Sequence, residues 1–398
     1  MIDNTAQITD FPMAPPGTMG PPAEYNELRA HRPVVKVRMD MDATAWYVTR
    51  YSDVRSLMAD SRLVRPTITE WPDRSAESDD RGSALTTMME LDGPRHTALR
   101  RAVAGPFSRG SIRNWLPRIR DRAEQLLVSL RADGPPGDLV AGFTDPFPLL
   151  VMCDIVGIPP EDCDQFVPVC KSGFDSMVSP EEARKTADLL RDYVEGLIAR
   201  KQRNPEWDVL THLVGEWQAG RLSYEDVLVF GLSMVTSGFR TSSIFLANAV
   251  LALLTEPGQY AELRDNRELM PTAVEELLRY VPMMNGAVVL LATVDIQLHG
   301  YTICKGDAVL PVLAAANRDE AVFTDPDQLD LSRAVNPHIM FGRGAHNCFG
   351  AHLARAQLST GLEALLDGFP KLRLIDDQSP TWDDESPTKS PLTLPVCW

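Results

Sequence analysis

With 398 residues, 44% of them hydrophobic, the chain is long enough to bury a sizeable core as one large domain or two ordinary ones. Its 55 acidic against 39 basic side chains leave a formal charge of -16, which excludes non-specific binding to nucleic acid or anionic membrane unless the basic residues gather on one face. Six cysteines, at 153, 163, 170, 304, 348 and 397, show no CxxC spacing, and the opening MIDNTAQITD lacks a signal peptide's basic start and apolar stretch, so a reduced, cytosolic setting is expected.

In chain order, residues 1–25 are rich in proline and glycine and read as an extended arm. PVVKV and AWYVTRY then read as short strands, the second running into the helix-like SDVRSLMADSRL. Residues 64–88 are polar and aperiodic, a long loop of the kind that often serves as a functional lid. From about 94 to 280, apolar spacings of three and four predict helices near 94–104, 111–131, 145–155, 181–200, 206–219, 224–254, 257–266 and 271–281, separated by breakers such as DGPPGD and TEPGQ. Ser223 followed by Asp226 marks the start of the longest with a capping box. About 31 residues at 1.5 Å each would span roughly 46 Å, which places this helix through the middle of the molecule.

That helix contains VTSGFRTSS, residues 235–243, a polar interruption carrying Arg240. A charge there, with Asn248 further on, argues against a membrane span and for a buried helix. After residue 283 come strand-like pieces (AVVLLATVDIQL, YTICKG, AVLPVLAAA), a glycine-rich loop, a helix near 350–367 and an irregular end. With no linker between two autonomous cores and no internal repeat, the simplest organisation is a single domain over 1–398, mainly α with a minor β portion.

The chemistry concentrates in FGRGAHNCFGAHLAR, residues 341–355. Cys348 stands among Gly342, Gly344 and Gly350 just ahead of an apolar helix, where close backbone and a helix N-terminus favour a thiolate, a nucleophile or metal ligand. The plainer alternative is a small buried thiol in a turn. No second cysteine or carboxylate cluster supports zinc or an iron–sulfur centre.

This stretch resembles the haem-binding signature of the cytochrome P450 superfamily, in the style of bacterial (class I, actinobacterial-type) members: Phe341, Gly342, Gly344, His346, Cys348 and Gly350 occupy its six fixed positions, and Ala354 and Arg355 continue it. Glu276 and Arg279 in EELLR resemble the family's glutamate-x-x-arginine helix, with Arg333 of LDLSR as the third contributor to its buried network. The resemblance runs in order across nearly the whole chain and implies the cytochrome P450 fold, a triangular prism with a long central helix above the haem. It further implies haem b with Cys348 as the axial ligand of the iron, Phe341 packing near the sulfur, and propionate contacts from His96, Arg100 and His346, for which charge-assisted bonds suit a carboxylate. Where bacterial relatives commonly have an arginine before AT, this chain has Leu290, which leaves one propionate contact absent or replaced.

SGFRTS resembles the oxygen-binding groove of the central helix. Gly238 would let O2 lie against the helix and Thr241 would hydrogen-bond the oxygen or a water beside it. Ser237 stands for the usual alanine and Arg240 for the usual acid, which a permanently charged guanidinium cannot mimic. Arg240 could pair with a carboxylate from another helix, bind a carbonyl or carboxylate of substrate, or anchor a water chain. By position in the family, the substrate would meet the 64–88 loop, residues 167–180, Met283, Met284, Asn285, Val288 and Val289, and Thr388 with its neighbour Lys389, a mixture suited to a medium-sized, partly polar natural product of secondary metabolism such as antibiotic biosynthesis.

The implied activity is an EC 1.14-type monooxygenase, cytoplasmic and monomeric, that uses O2 and electrons from a ferredoxin or flavodoxin served by a separate NAD(P)H reductase. Arg95, Arg100, Arg101, Arg109, Arg113, Arg118, Arg120 and Arg122 form a basic concentration that could steer such a partner or be merely solvated. Oxidative coupling or ring closure of an aromatic substrate such as a cyclic dipeptide, without oxygen insertion, is the alternative reaction, and a haem protein that binds ligand without turnover is the alternative class.

Overall fold

In the computed structural model, the residues described are 8–39, 43–65, 87–163, 180–283, 288–384 and 388–398, with backbone alone at 180, 183, 184, 236 and 237. Helices run over Glu24–His31 (α1), Tyr51–Leu57 (α2), Gly93–Ala104 (α3), Arg109–Asp133 (α4), Pro146–Val156 (α5), Pro180–Arg203 (α6), Val209–Gln218 (α7), Tyr224–Ser237 (α8), Arg240–Thr255 (α9), Gln259–Asp265 (α10), Met270–Tyr280 (α11), Leu313–Ala316 (α12) and Ala351–Gly368 (α13). Strands are Ile8–Thr9 (β1), Val34–Arg38 (β2), Thr44–Val48 (β3), Leu63–Val64 (β4), Gly137–Asp138 (β5), Leu290–Ala292 (β6), Ile296–Leu298 (β7), Tyr301–Ile303 (β8), Ala308–Pro311 (β9), Arg373–Leu374 (β10), Thr381–Trp382 (β11), Pro391–Thr393 (β12) and Pro395–Cys397 (β13). Two compact units result, Met1–Asp79 with Glu275–Cys348, and Asp80–Val274 with Phe349–Trp398.

The first unit is built on a six-stranded sheet of order β1-β2-β3-β9-β6-β4. Its period-2 pattern divides the core into two faces: Val34, Trp46, Val48 and Val309 pack on one side, and Val35, Val37, Ala45, Tyr47, Ala308 and Leu310 on the other. Strand β3 pairs antiparallel with β2 and parallel with β9, so both of its edges are satisfied, and its alternating side chains are buried on both faces of the sheet. Within the stretch expected to be an extended arm, β1 adds a parallel partner to β2, and α1 begins at Glu24.

The second unit is helical. Along α4, Ile112, Trp115, Ile119, Ala123, Leu127 and Leu130 are buried at spacings of three and four, the stripe of a helix packed on one side. A Cβ at Gly361 of α13 would lie 3.2 Å from Phe147 of α5 and 3.4 Å from Leu246 of α9, so this glycine sets how closely those helices approach. Small strands finish the unit in a three-stranded sheet of order β10-β13-β5 and the β11–β12 pair.

Two sequence expectations are corrected here. The segment expected as one helix over 224–254 is two, because the helix stops at Ser237 and restarts at Arg240. Gly238 keeps its bond to the Met234 carbonyl (3.0 Å), but a Cβ on it would lie 2.4 Å from that oxygen and 2.7 Å from the methyl of Met152, so glycine is what fits the break. The apolar window between Tyr224 and Thr255 is 72% buried in protein, which suits a core helix rather than a span. Second, the cysteine spacing gave no sign of pairing, yet Cys153 of α5 and Cys163 form a disulfide across ten residues of sequence. The turn after α5, at the left-handed Gly157, folds the chain back and brings them together.

Candidate active site

In the first unit, the cysteine loop rests on α11. Glu276 and Arg279 have fully buried side chains, and the guanidinium donates two hydrogen bonds to the carboxylate, at 2.7 and 2.8 Å. The same carboxylate accepts from Arg333 (3.0 Å), from the Asn336 amide (3.0 Å) and from the Asp330 backbone N–H (3.0 Å). Arg279 in turn donates to the carbonyls of Asn317, Pro326 and Gln328. A buried carboxylate with this many donors is compensated for its desolvation, and it gathers residues 317–336 around one point. The three residues singled out in the sequence, Glu276, Arg279 and Arg333, are brought together, and Asn336 is a fourth member that the sequence reading missed.

From that hub the chain enters the loop. Gly342 and Gly344 have φ of 70° and 76°, the left-handed region where glycine is at ease. At Gly344 a Cβ would fall 2.5 Å from the carbonyl oxygen of Met58, and at Gly342 it would fall 3.0 Å from the Met58 methyl, so the loop lies directly on the end of α2. Gly350 differs, with φ of -79°, and its conformation alone does not call for glycine. The Cys348 N–H donates to the Phe341 carbonyl at 2.8 Å, closing the loop on itself. Cys348 is exposed, whereas Cys153 and Cys163 are buried in their disulfide. Half-buried His346 ends the short helical turn Gly344–His346, and Phe341 is half-buried with its ring 6.1 Å from that of His338. A presented thiol on a backbone fixed by hydrogen bonds and two constrained glycines fits the donor chemistry of an axial haem ligand. Elsewhere in this unit Met283, Val288 and Val289 are half-buried, Leu290 is buried in β6, and Met284 and Asn285 lie outside the described residues. The register pairing Leu63 with Ala292 and Val64 with Leu291 leaves Arg65 at the end of the strand beside Leu290.

In the second unit, α3 buries His96, Leu99 and Val103 on one face. Arg100 is half-buried, its guanidinium 5.7 Å from the centre of the Phe349 ring, and that ring also packs on Phe107 and Phe230. His96 and Arg100 thus share one side of α3, as their spacing of four predicts. The arginine concentration is partly consumed. Arg95 pairs with Asp226 (2.7 Å), Arg118 and Arg122 both with Asp154 (2.9 and 2.8 Å), and Arg120 with Glu363 (3.8 Å). The bond to Asp154 holds Arg122 more firmly protonated than usual. Arg101, Arg109 and Arg113 remain exposed.

Arg240 begins α9 and is buried. A cation in the first turn of a helix opposes the positive end of its dipole. Asp145, at the start of α5, offsets this with a 3.4 Å contact, and Ser390 adds a 3.5 Å bond from the other guanidinium nitrogen. One turn on, the Ser243 hydroxyl donates to the Thr144 carbonyl (2.8 Å) and holds the backbone next to Asp145 against α9. Further along, Asn248 donates to the Lys389 carbonyl at 2.8 Å, which fixes the buried run Thr388–Ser390. Asp145 was not foreseen: it lies 95 residues from Arg240 and belongs to no motif. Thr241 is half-buried beside the break, and the Ser237 side chain is outside the described residues. The 64–88 loop and residues 167–180 lie almost wholly outside them as well.

A sequence model of the cytochrome P450 family matches residues 180–393. The chain belongs to that family. It is 36% identical over 394 residues to nocardicin C N-oxygenase of Nocardia uniformis subsp. tsuyamanensis, covering 98% of each chain. It is 37% identical over 379 residues to the mycinamicin IV hydroxylase/epoxidase of Micromonospora griseorubida, covering 94% of each. The crystal structure of the LnmA cytochrome P450 hydroxylase from the leinamycin pathway of Streptomyces atroolivaceus S-140 superposes with a TM-score of 0.88 at 34% identity, over 98% of this chain and 100% of that one. As a cytochrome P450 of the bacterial, actinobacterial type, the protein is a haem-thiolate oxidoreductase that uses haem b, and its mainly helical fold with a small sheet portion is that of the family.

Proposed function

We propose that this cytochrome P450 inserts oxygen from O2 into a medium-sized, partly polar natural product, with Cys348 as the axial ligand of the haem iron. The observation carrying the proposal is exposed Cys348 on a loop that Gly342 and Gly344 seat against Met58 and that the hydrogen bond from the Cys348 N–H to the Phe341 carbonyl closes. Bound there, haem would supply activation of O2, and a thiolate ligand favours its reductive cleavage. The protein's tasks are positioning and proton control. His96, Arg100 and His346 would hold the propionates. Thr241 would place a hydroxyl on the oxygen side, and Gly238 with Ser237 would leave room beside it. Met283, Met284, Asn285, Val288, Val289 and Thr388 would face the substrate. The chain would act as one cytoplasmic domain over 1–398, as a monomer.

For Arg240, the contacts favour the ion-pair role: its guanidinium faces Asp145 and Ser390. Asp145 would be the carboxylate partner of Arg240, and the pair would hold the helix break in shape. Electrons would come from a small acidic ferredoxin or flavodoxin with its own reductase, attracted by exposed Arg101, Arg109 and Arg113. Two relatives are named for N-oxygenation of nocardicin C and for hydroxylation or epoxidation of mycinamicin IV, which supports insertion. Coupling without oxygen retention is the second reading, favoured by the cation at 240.

The test has two stages. The reduced protein with carbon monoxide is expected to give the thiolate-type Soret band, and Cys348→Ser to lose it; a wild-type protein lacking that band overturns the ligand assignment. Turnover with surrogate ferredoxin and reductase on a panel of antibiotic precursors should then give products heavier by one oxygen. Products lighter by two hydrogens, or dimers, support coupling or ring closure instead.

A further inference from the structure

The segment leading into the cysteine loop is tied at each residue. Asn336 donates to Glu276 (3.0 Å), the Pro337 carbonyl accepts from the Tyr51 hydroxyl (2.7 Å), and the Ile339 N–H donates to the Asn317 side chain (2.9 Å). Between them His338, only 3% exposed at its side chain, has both ring nitrogens engaged. Nε2 lies 2.9 Å from the Glu275 carboxylate, and Nδ1 lies 3.3 Å from the Met340 backbone nitrogen. A carboxylate can only accept and a backbone N–H can only donate, so the neutral tautomer carrying its proton on Nε2 satisfies both. The Glu275 charge draws on that proton and makes Nδ1 a stronger acceptor, as a carboxylate does behind a metal-bound histidine. Met340 directly precedes Phe341, whose carbonyl holds the Cys348 N–H. Glu275 and Glu276 are adjacent on α11, yet they act on different points: one anchors the residues ahead of the loop, the other reaches through His338 into its backbone.

We propose that Glu275 and His338 are positioning residues for the Cys348 sulfur, a relay that runs from carboxylate to imidazole to the Met340 N–H and on through the Phe341 carbonyl to Cys348. The proposal rests on the reading of Cys348 as the haem ligand. Removing the relay lets the Met340–Phe341 backbone turn and loosens the thiolate, as outer partners of a metal ligand do when lost, by roughly 10- to 100-fold in retention of the bound group.

The test compares wild type with His338→Phe, His338→Gln and Glu275→Gln, each loaded with haem, by the fraction of the carbon-monoxide complex showing the thiolate-type band and by the rate of haem transfer to excess apomyoglobin. His338→Phe is expected to release haem at least about tenfold faster and to shift its carbon-monoxide complex toward the thiol-type band. His338→Gln keeps one acceptor and one donor and should recover most of the wild-type behaviour. Glu275→Gln keeps a hydrogen bond without the charge and should fall between. Equal values for all four proteins, or Phe and Gln at 338 behaving alike, overturn the proposal. If His338→Phe does not fold, Glu275→Gln against wild type decides, and no change there overturns it. A wild type without the thiolate band would instead sink the ligand assignment itself.

Discussion

The two halves of the proposed chemistry are held in different ways. The cysteine loop hangs from a carboxylate with five donor contacts between 2.7 and 3.0 Å and from two glycines in the left-handed region, of which Gly344 has no room for a Cβ. The break at 238–239 is held by an arginine whose bonds are 3.4 and 3.5 Å long, near the limit of a useful hydrogen bond. The difference teaches that the proposed ligand side is fixed by redundant short bonds, whereas the proposed oxygen side rests on two long ones.

The largest expected effect lies on the ligand side. Glu276→Ala leaves Arg279 and Arg333 without their shared carboxylate and should cost about 3–5 kcal/mol, read from denaturant unfolding, with poor haem incorporation. A loss near that of an exposed pair would break the comparison. Next comes Gly344→Ala, expected to cost about 2 kcal/mol or more, because the left-handed backbone alone costs roughly 1–2 kcal/mol and the new Cβ meets the Met58 carbonyl. Gly350→Ala, at ordinary φ, should cost less than about 1 kcal/mol, and equal losses at the two glycines would contradict the conformational argument.

On the oxygen side, Asp145→Asn should cost only about 1–2 kcal/mol in unfolding, since the contact it weakens is long. It should also raise hydrogen peroxide release per electron consumed in turnover, a readout that tells proton control from packing. The smallest effect concerns Asp226. Partial burial pushes its carboxyl up, but bonds from Arg95, the Ser223 hydroxyl and the Ser223 N–H outweigh this and hold it below the usual carboxylate range. Its contribution is therefore full above the ordinary value near pH 4 and is lost as pH falls through the lowered folded value. Asp226→Asn should lower Tm on the order of 1–2 °C at neutral pH, with the gap closing in acid. A gap that widens in acid would reverse the sign assigned here.

Much of this was legible in the sequence, because helical periodicity and the cysteine motif are local signals. The helix Arg109–Asp133 and the capping box of Ser223 and Asp226 follow from spacing alone. The interruption at 238 was visible only as polarity, since the steric cause involves Met152, more than eighty residues away in sequence. Asp145 and Glu275 were silent for the same reason: a carboxylate without a motif gains its meaning from the partner folding brings to it. His338 lies three residues before Phe341 in RAVNPHIMF, close to polar Asn336, and no spacing there points to Glu275 as its partner.

One consequence of the broken helix concerns angular phase. Each helical residue advances side chains by about 100°, so a continuous helix would lock Thr241 to the apolar stripe of Val227, Phe230 and Met234. Gly238 and Phe239, between the two helices, keep right-handed dihedrals (φ -78°, ψ -28° and φ -113°, ψ -39°), so that count is perturbed there without being reset. A rotation of α8 therefore reaches Thr241 only through two distorted residues, and the Arg240 and Ser243 contacts with the start of α5 steady its direction locally.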